Sequence, residues 1–526
     1  MNKLLLLLLT LTFVSATAQK VISVDICVYG ATSGGVIAAY SASKLGKKVI
    51  LVTAAGHLGG LSSGGLGNTD IGNKTAITGL ARDFYHRVGL HYGKQEQWTF
   101  EPHVAEDIFK TYIREAGITV LFQHALRTVF KKAHRIQQIQ VVPTDSGTDR
   151  STYIIQAKEY IDCSYEGDLM ALAAVTYTVG RESNLQYHES YDGVQLLDKH
   201  QFADGIDPYI SEGKPVSGLL WGIHSDELNA RGTGDKKVQA YNFRLCLTDS
   251  PANQIEIREP DRYDSSHYEL LLRYIKIKNP KSLEDGILNI NAMPGRKTDI
   301  NNNGPFSTDM IGMNYDYPNG NYEIRNKIIQ DHIDYTKGLL FFLGHDKRVP
   351  DHLRKEMIRW GYPKDEYMDN DYWSPQLYIR ESRRMVGAYV MTESNCTGKI
   401  KVTDGIGMAA YTMDSHNCQR LVVNGMVKNE GDVQVGGFPP YPVSYRSIIP
   451  KQNECTNLFV PVCLSATHIA YGSIRMEPVF MVLGQSAATA AVIAIKDHLP
   501  AQEINVEKLQ KELRENPLVR FTLRTK

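Results

Sequence analysis

Residues 24–43, VDICVYGATSGGVIAAYSAS, decide the fold of this chain. The apolar run 24–29 predicts a buried strand, and a glycine-rich turn from Gly30 to Gly35 follows it at once. A helix of small residues is predicted after the turn, and residues 47–52 predict the next strand. A strand, glycine turn, helix and strand in this order are typical of a dinucleotide-binding unit, in which N–H groups at the helix start face a diphosphate.

The turn departs from the usual G-x-G-x-x-G pattern at two places. Thr32 stands where the second glycine is usual, and Thr53 follows the second strand where an acidic residue usually binds a ribose. We therefore expect a backbone group or another side chain to make the ribose contact. Taken alone, the pattern leaves open a buried strand–helix unit that binds no nucleotide.

A second glycine cluster favours the nucleotide interpretation. Residues 57–70 hold five glycines among fourteen positions, a density that ordinary helices and strands do not use. Because a backbone without side chains can lie flat against a planar ligand, we expect this loop to pass along the isoalloxazine ring of a flavin. The apolar Leu58, Leu61 and Leu66 in the loop argue against a flexible surface segment.

A second cofactor contact is expected near the C-terminus. Polar residues cluster between His468 and Glu477, and Pro478 then begins an apolar, alanine-rich run to Ile495. Proline suits the first turn of a helix. The positive end of that helix would stabilise the negative charge that forms on the pyrimidine edge of a reduced flavin. A core helix without a ligand explains the apolar run but not the polar cluster before it.

These motifs together resemble the bacterial FAD-dependent oxidoreductases with a glutathione-reductase-type FAD domain. The resemblance covers nearly the whole chain after residue 18, and some of these relatives carry the label xanthan lyase. It implies an α/β fold, with a Rossmann-type FAD-binding domain of parallel sheet and β-meander, and redox chemistry on a substrate that is usually unidentified. The segments that carry it are residues 30–35, 57–61, 65–70, 100–106, 161–169, 180–183, 297–301, 306–309, 380–384, 411–416 and 465–478.

The expected cofactor is FAD, held non-covalently. Asp168 follows a predicted strand, where ligands of such sheets lie, although it could equally cap the next helix. Covalent attachment through His57 is the alternative, but a histidine that only forms hydrogen bonds in a turn is favoured. The predicted cofactor-binding residues are Gly30, Ala31, Thr32, Ser33, Gly34, Gly35, Thr53, His57, Gly59, Gly60, Leu61, Gly64, Gly65, Asp168, Met476 and Glu477.

The FAD domain is predicted to be interrupted by an inserted α+β substrate domain. We expect a signal peptide at 1–18, the FAD domain at 19–190 and 376–500, the insertion at 191–375 and a C-terminal segment at 501–526. In the middle region apolar periodicity weakens, and Tyr, Asn, Asp and Pro become common. Predicted helices lie at 75–95, 104–116, 331–342 and 479–495, and predicted strands at 118–123, 136–142, 153–157, 160–162, 238–247 and 457–462, with a turn at 142–148.

The first residues have the three-part layout of a secretory signal peptide. Lys3 supplies a positive charge, residues 4–14 are almost entirely apolar, and residues 16–18 form a cleavage site of the A-x-A type. No twin-arginine pair is present, so we expect Sec-type export to the periplasm or the medium. FAD would then be loaded outside the cytoplasm. No later run is predicted to span a membrane.

Charge and cysteine content exclude several partners. Lys plus Arg and Asp plus Glu both number 58, which argues against nucleic acid or an anionic membrane as a partner. The seven cysteines form no C-x-x-C pair, so neither zinc binding nor thioredoxin-like chemistry is supported. We predict no metal site and no disulfide.

The expected function is that of an exported oxidoreductase that transfers a hydride between flavin N5 and a small organic substrate. The Tyr- and Asn-rich middle region favours a carbohydrate or polyol. His468, His416 and Tyr471 are the candidate acid–base residues. Arg475 is expected to orient the substrate or stabilise the reduced flavin. For each of these residues the alternative is a buried, paired side chain at the domain junction, and the same alternatives apply to Arg380 or Arg383 as a ligand for an anionic group.

Two other functions remain open from the sequence. One is a polysaccharide-processing lyase in which FAD is structural or absent, and the other is a non-catalytic glycan-binding protein on a flavin fold. The substrate, the electron acceptor and the oligomeric state are not identified by the sequence.

Overall fold

A seven-stranded sheet lies at the centre of the region that carries both glycine loops. The structure is a computed structural model and describes residues 19–144 and 149–515, so the predicted signal peptide lies outside the described residues. The strands are β1 (Lys20–Tyr29), β2 (Val49–Val52), β3 (Thr119–Leu121), β4 (His124–Lys132), β5 (Arg135–Pro143), β6 (Tyr153–Asp162), β7 (Tyr177–Thr178), β8 (Leu245–Thr248), β9 (Gln254–Glu256), β10 (Leu288–Met293), β11 (Lys297–Asn302), β12 (Gly361–Pro363), β13 (Arg384–Met385), β14 (Gly405–Ala409), β15 (Met413–Ser415), β16 (Gln419–Val423), β17 (Met426–Glu430), β18 (Val433–Val435), β19 (Tyr441–Ser444) and β20 (Leu458–Phe459).

Helices cover this sheet and fill the middle region. The predicted helices at 75–95, 104–116 and 479–495 are confirmed as α2, α3 and α11, with shifted ends. The α-helices are α1 (Ser33–Lys44), α2 (Gly79–His91), α3 (Pro102–Ala116), α4 (Asp168–Leu172), α5 (Asn184–Tyr187), α6 (Glu269–Lys278), α7 (Tyr322–His345), α8 (Asp351–Ile358), α9 (Glu393–Cys396), α10 (His468–Ile474), α11 (Glu477–Asp497) and α12 (Val506–Arg514).

The central sheet combines a parallel part with an antiparallel meander. Its strand order is β3-β2-β1-β6-β5-β4, with β20 beside β6. β1 pairs in parallel with β2 and β6, while β4, β5 and β6 pair antiparallel in succession. The predicted α/β fold with a Rossmann-type parallel sheet and a β-meander is confirmed.

Strand β6 corrects the prediction of two separate strands at 153–157 and 160–162. It is continuous, because β1 pairs with it along its whole length, from Lys20 opposite Tyr153 to Tyr29 opposite Asp162. Backbone pairing with β1 keeps β6 continuous through the polar residues in the middle of the strand. The sequence analysis also missed β4, whose outer half is largely exposed and charged and so lacks the apolar signal of a buried strand.

Helix α11 packs against α1 through glycines. A Cβ atom at Gly484 would lie 2.2 Å from the carbonyl oxygen of Gly34, so the two backbones approach too closely for a larger residue. Contrary to the prediction that no later run could span a membrane, α11 is long and apolar enough to do so. Since 94% of its apolar window is buried inside the protein, it is accounted for as a core helix.

The middle region contains a second sheet, ordered β10-β11-β8-β12-β9, together with α6, α7 and α8. Two elements of this region differ in extent from their predictions. The strand predicted at 238–247 is reduced to β8, because Asn242 makes only an isolated bridge with Tyr378. The helix predicted at 331–342 begins earlier, since Asn321 accepts a hydrogen bond from the Ile324 N–H and caps α7. The domain boundaries stay a prediction.

All seven cysteines lie among the described residues, and each is buried and without a disulfide.

Candidate active site

A cavity of about 590 Å³ lies at the carboxyl ends of β1, β2 and β6. One wall is the glycine turn 30–32, a second is formed by residues 53–55, and a third by residues 164–166 with Asp168. The fourth wall comes from the middle region, from Tyr317 and the start of α7. Ligands of parallel α/β sheets bind at this edge, so this cleft is the candidate cofactor site.

The first glycine turn packs so closely on the end of β6 that its first position has no room for a side chain. Gly30 has a φ of 94°, and a Cβ atom there would lie 2.5 Å from the Ser164 nitrogen. Thr32 donates to the Cys163 carbonyl at 2.8 Å, and its hydroxyl oxygen accepts from the Gly35 N–H at 3.2 Å. Thr32 therefore replaces the second glycine by joining the turn to the end of β6 and capping α1. The positive end of α1 begins at the cleft, which suits a diphosphate.

Thr53 and His57 lie at the edge of the same cleft. The Thr53 hydroxyl accepts from the Ala55 N–H at 3.1 Å. His57 Nδ1 lies 3.2 Å from a carboxylate oxygen of Glu106 on α3, and this hydrogen bond raises the pKa of His57. His57 is thus held by a neighbouring helix, whereas the ribose contact and the non-covalent attachment stay predictions.

Glu477, at the start of α11, connects the two glycine loops. Its carboxylate accepts hydrogen bonds from Ser33 at 2.5 Å, Ser62 at 3.0 Å and Tyr165 at 2.6 Å. The Tyr165 hydroxyl in turn accepts from the Leu61 N–H at 2.9 Å. Burial raises the pKa of Glu477, and the three hydroxyl donors only partly oppose it. This cluster fixes both loops on one helix end.

The second glycine loop packs on the middle region. Gly65 has a φ of 117°, and a Cβ atom there would lie 2.1 Å from the Arg244 carbonyl oxygen. A Cβ atom at Gly64 would lie 2.4 Å from Gln376 Cβ. The glycines therefore allow close backbone approach here. Of the predicted cofactor residues, Gly30, Ala31, Thr32, Thr53, His57, Gly60 and Asp168 line the cavity; Ser33, Leu61 and Glu477 form the cluster above; and Gly34, Gly35, Gly59, Gly64, Gly65 and Met476 lie in the packing around them.

His416 is held at one ring nitrogen and not at the other. Its Nδ1 lies 2.6 Å from Asp309, and Asp309 lies 2.9 Å from the Arg380 guanidinium. Burial alone would raise the pKa of Asp309, but the charges of Arg380 and His416 outweigh burial and lower it. The ionised carboxylate accepts from Nδ1–H, and the other ring nitrogen, Nε2, lies 3.8 Å from Asp414.

Arg475 joins this histidine to the second glycine loop. Its guanidinium lies 2.9 Å from Asp414 and donates to the Tyr378 hydroxyl at 2.6 Å. Asp70, at the end of the loop, lies 3.6 Å from Arg244. The charges of Arg475, Asp70 and Arg244 all act on Tyr378, whose pKa is raised chiefly by burial. The structure therefore brings together the predicted His416 and Arg475 beside the loop.

His200 forms a second histidine–aspartate pair that the sequence analysis did not select. Its Nδ1 lies 2.7 Å from Asp432, and its ring lies 6.5 Å from that of His416 at an interplanar angle of 28°. Burial raises the pKa of Asp432. No motif surrounds His200 in the sequence, and its partner lies 232 positions later, so no local signal indicates the pair.

His468 and Tyr471 lie in a separate, buried network. His468 Nδ1 is 2.7 Å from Glu381, and its Nε2 is 3.0 Å from the Ser415 hydroxyl. Arg384 pairs with the other oxygen of Glu381 at 2.7 Å. Tyr471 donates to a backbone carbonyl. Both ring nitrogens of His468 have protein partners. None of His468, Tyr471, His416 and Arg475 is among the residues that line the cavity, so their catalytic roles stay predictions.

The described residues contain one group of three side chains that could hold a metal ion, Glu101, His103 and Glu366. The Lys297 ammonium lies 2.8 Å from Glu101 and 2.6 Å from Glu366. Because the Lys297 ammonium already pairs with both carboxylates, we assign no metal to the group.

One comparison with known proteins identifies the family of this chain. A sequence model for FAD dependent oxidoreductase matches residues 25–513. The search of curated proteins gave no match.

Three solved structures show a weak likeness. L-proline dehydrogenase from P. horikoshii is 15% identical, with a TM-score of 0.19, over 32% of this chain and 26% of that one. THI4 from Thermovibrio ammonificans is 17% identical, with a TM-score of 0.24, over 30% and 66% of the two chains. A flavoprotein/dehydrogenase from Cytophaga hutchinsonii is 15% identical, with a TM-score of 0.23, over 29% and 42%. The chain thus spans between about a quarter and two thirds of their lengths.

The match to the family model covers nearly the whole described chain and assigns FAD as the cofactor and oxidation–reduction as the class of reaction. The residues present fit that cofactor, because a glycine turn and a helix start border a cleft of suitable position, and three hydroxyl groups converge on Glu477 beside it. On this match and this fit, the chain belongs to the FAD dependent oxidoreductase family.

Proposed function

We propose that the protein is an exported FAD-dependent oxidoreductase that oxidises a hydroxyl group of a carbohydrate or polyol, with His416 as the base. When bound, FAD exchanges a hydride with the substrate at flavin N5. The first glycine turn and the start of α1 would hold its diphosphate, and the second glycine loop its ring. The observation that carries the proposal is the His416–Asp309 pair, in which the second ring nitrogen, Nε2, lies 3.8 Å from Asp414 among the charged side chains next to that loop.

Oxidation of an alcohol carbon requires the hydroxyl proton to leave, and a positioned base takes it. Asp309 holds His416 in the tautomer whose Nε2 accepts a proton. Once protonated, the imidazolium lies between two carboxylates, since Asp309 is 2.6 Å from Nδ1 and Asp414 is 3.8 Å from Nε2. The hydrogen bond between Nδ1 and Asp309 keeps the ring oriented.

The side chains around His416 favour a hydroxylated neutral ligand. Buried N–H groups of Arg475, at Nε, and Arg244, at one terminal nitrogen, have no hydrogen-bond partner among the described residues. Asp70 and Asp414 offer acceptors beside them. Sugar hydroxyls both donate and accept, so they match such mixed pairs.

The local charge supports the same choice. Three cations face four acidic groups, which leaves no positive excess for an anionic substrate. The groups are Arg244, Arg380 and Arg475 on one side and Asp70, Asp299, Asp309 and Asp414 on the other.

A substrate screen by anaerobic flavin bleaching tests the proposal. Purified holoenzyme is mixed with a panel of polyols, neutral sugars and sugar acids, and absorbance of the oxidised flavin is followed. We expect bleaching by a polyol or neutral sugar, with formation of the matching carbonyl product. Bleaching by sugar acids alone, or by compounds without a hydroxyl group, would contradict the proposal. Unsaturated sugar without bleaching would support a lyase, and colourless protein that binds glycan unchanged would support a binding protein.

Export is tested separately from the chemistry. We expect the mature protein, recovered from the periplasm or the medium, to begin at Gln19, because residues 16–18 form the predicted cleavage site. Full-length protein in the cytoplasm alone would contradict export and leave the oxidoreductase proposal standing.

A further inference from the structure

The start of helix α7, from the middle region, closes one side of the cofactor cleft. Tyr317, Tyr322, Arg325, Asn326 and Ile329 line the same cavity as the first glycine turn. None of them was selected from the sequence as a cofactor residue. The cleft is therefore built from segments that lie about 300 positions apart in the chain.

Two side chains join the first turn of α7 to the parallel sheet. The Tyr322 hydroxyl lies 3.3 Å from the Tyr29 hydroxyl, at the end of β1. Arg325 donates to both carboxylate oxygens of Asp168, at 2.7 and 2.9 Å. These contacts place the two side chains next to the residues that line the cleft.

Arg325 retains a donor for a ligand. Its Nε donates to the Tyr317 carbonyl, one terminal nitrogen donates to Asp168 and to the Pro318 carbonyl, and the other donates once to Asp168. A guanidinium has five N–H groups, so one N–H on the last nitrogen has no assigned partner among the described residues. Arginine binds phosphate oxygens through such groups while keeping its carboxylate contact.

Two guanidinium groups converge on one carboxylate at this wall. Asp168 faces Arg325 and Arg383, each at 2.7 Å. Burial alone would raise the pKa of Asp168, but Arg325 and Arg383 outweigh burial and lower it. A pair of guanidinium groups at the wall suits an anionic group in the cleft.

We propose that the first turn of α7 is part of the FAD site, in which Arg325 binds the diphosphate and Tyr322 packs beside it. The cofactor then contacts both the parallel sheet and the middle region. Binding of FAD and docking of α7 on the sheet are then thermodynamically linked. The factor by which docking of α7 raises the affinity for FAD equals the factor by which bound FAD raises the equilibrium constant for docking. The proposal rests on the cofactor and is independent of the substrate.

Titration of apoprotein with FAD, followed by flavin fluorescence, measures this contact without any substrate. We expect Arg325→Gln to raise the Kd about tenfold to a hundredfold, the usual range for loss of a charged hydrogen bond. Tyr322→Phe is expected to raise it less. Lys327→Gln is the matched control, because this lysine lies on the same turn, is 75% exposed and has its one ion pair among the described residues with Asp331. The Kd of the Lys327→Gln variant for FAD should stay within about twofold of the wild-type value.

Two further measurements separate a ligand contact from a folding defect. ADP, which carries the diphosphate without the flavin, should show the same loss with Arg325→Gln; weakened FAD binding with unchanged ADP binding would overturn the diphosphate assignment. In the wild type, FAD should slow amide hydrogen exchange at residues 322–329 but not in α8. Wild-type affinity in Arg325→Gln, or α7 exchange that FAD does not change, would overturn the proposal.

Discussion

His416 and His468 both have a carboxylate as the partner of Nδ1, but the partners of Nε2 differ in the two rings. Each places Nδ1 on a buried carboxylate, at 2.6 Å for His416 and 2.7 Å for His468. The Nε2 of His468 meets the Ser415 hydroxyl at 3.0 Å, whereas the nearest charged group to the Nε2 of His416 is Asp414, 3.8 Å away. The surroundings of the second ring nitrogen thus distinguish His416, the proposed base, from His468, which completes a buried network.

The carboxylate partner of His468 belongs to a buried network of charged side chains. Arg384 lies between Glu381 and Glu182, at 2.7 Å from each, and its side chain is fully buried. Burial alone would raise the pKa of Glu381, but His468 and Arg384 outweigh it and lower the pKa to about 2. Such a network stabilises the fold only while every member has its partner.

The largest expected effect is on catalysis at His416. His416→Gln removes the proton acceptor, and we expect the rate of substrate-dependent flavin bleaching to fall about 10²- to 10⁴-fold, the usual contribution of a general base. Bound FAD and the free energy of unfolding should change little. The exposed His345→Gln serves as the control. Bleaching at the wild-type rate in His416→Gln would show that His416 is not the base.

The next largest effect is on stability at Arg384. Arg384→Met leaves Glu381 and Glu182 as buried carboxylates without their cation, and we expect a loss of about 3–5 kcal/mol in the free energy of unfolding. Chemical denaturation of the holoenzyme measures it. Arg446→Met is the matched control, since Arg446 pairs with Asp404 at 48% side-chain exposure and should cost at most about 1 kcal/mol. Equal losses in the two variants would contradict the buried network.

His468→Gln should have a smaller effect on stability and none on chemistry. The amide retains a donor for Glu381 but not the geometry of the ring, so we expect a loss of about 1–3 kcal/mol in the free energy of unfolding. The bleaching rate per bound FAD should match the wild type. A rate that falls as far as in His416→Gln, at unchanged stability, would make His468 the base and reverse the comparison.

The smallest effect is a pH dependence from Glu381. Its folded-state pKa of about 2 is lower than that of an unfolded glutamate, so its stabilisation is complete above about pH 4.5 and is lost as the pH falls towards 2. Between pH 7 and pH 3 this residue should account for on the order of 1–2 kcal/mol of lost stability. Glu381→Gln should therefore lose less stability than the wild type over this interval. A parallel loss in both proteins would contradict the lowered pKa.

Sequence patterns identified the parts of the fold that are encoded locally. The apolar run before Gly30, the glycine turn and the alanine-rich helix after Pro478 each have a signal within about twenty residues, and each predicted element is present. The family resemblance joined them into one cofactor domain. The start of α7 was missed because it is set by the capping Asn321, which adds nothing to the apolar periodicity. The strand β4 was missed because its outer half is largely exposed and so gives weak apolar periodicity.

The active site was predicted less well because its contacts are distant in sequence. His416 depends on Asp309, 107 positions earlier, and His200 on Asp432, 232 positions later. The polar cluster at 468–477 looked like one site but divides between two environments. Glu477 reaches both glycine loops, while His468 points into the network of Glu381.

The contact between the glycine loops and Glu477 has a consequence for the order of folding. Ser33 and Ser62 bind a carboxylate that lies 444 and 415 positions later in the chain. During synthesis from the amino end, both loops are made early and remain without this partner until residue 477 has been added. Closure of such long loops makes folding slow. The first motif of the chain to be made is thus one of the last to reach its native form, and cofactor uptake belongs to the completed polypeptide.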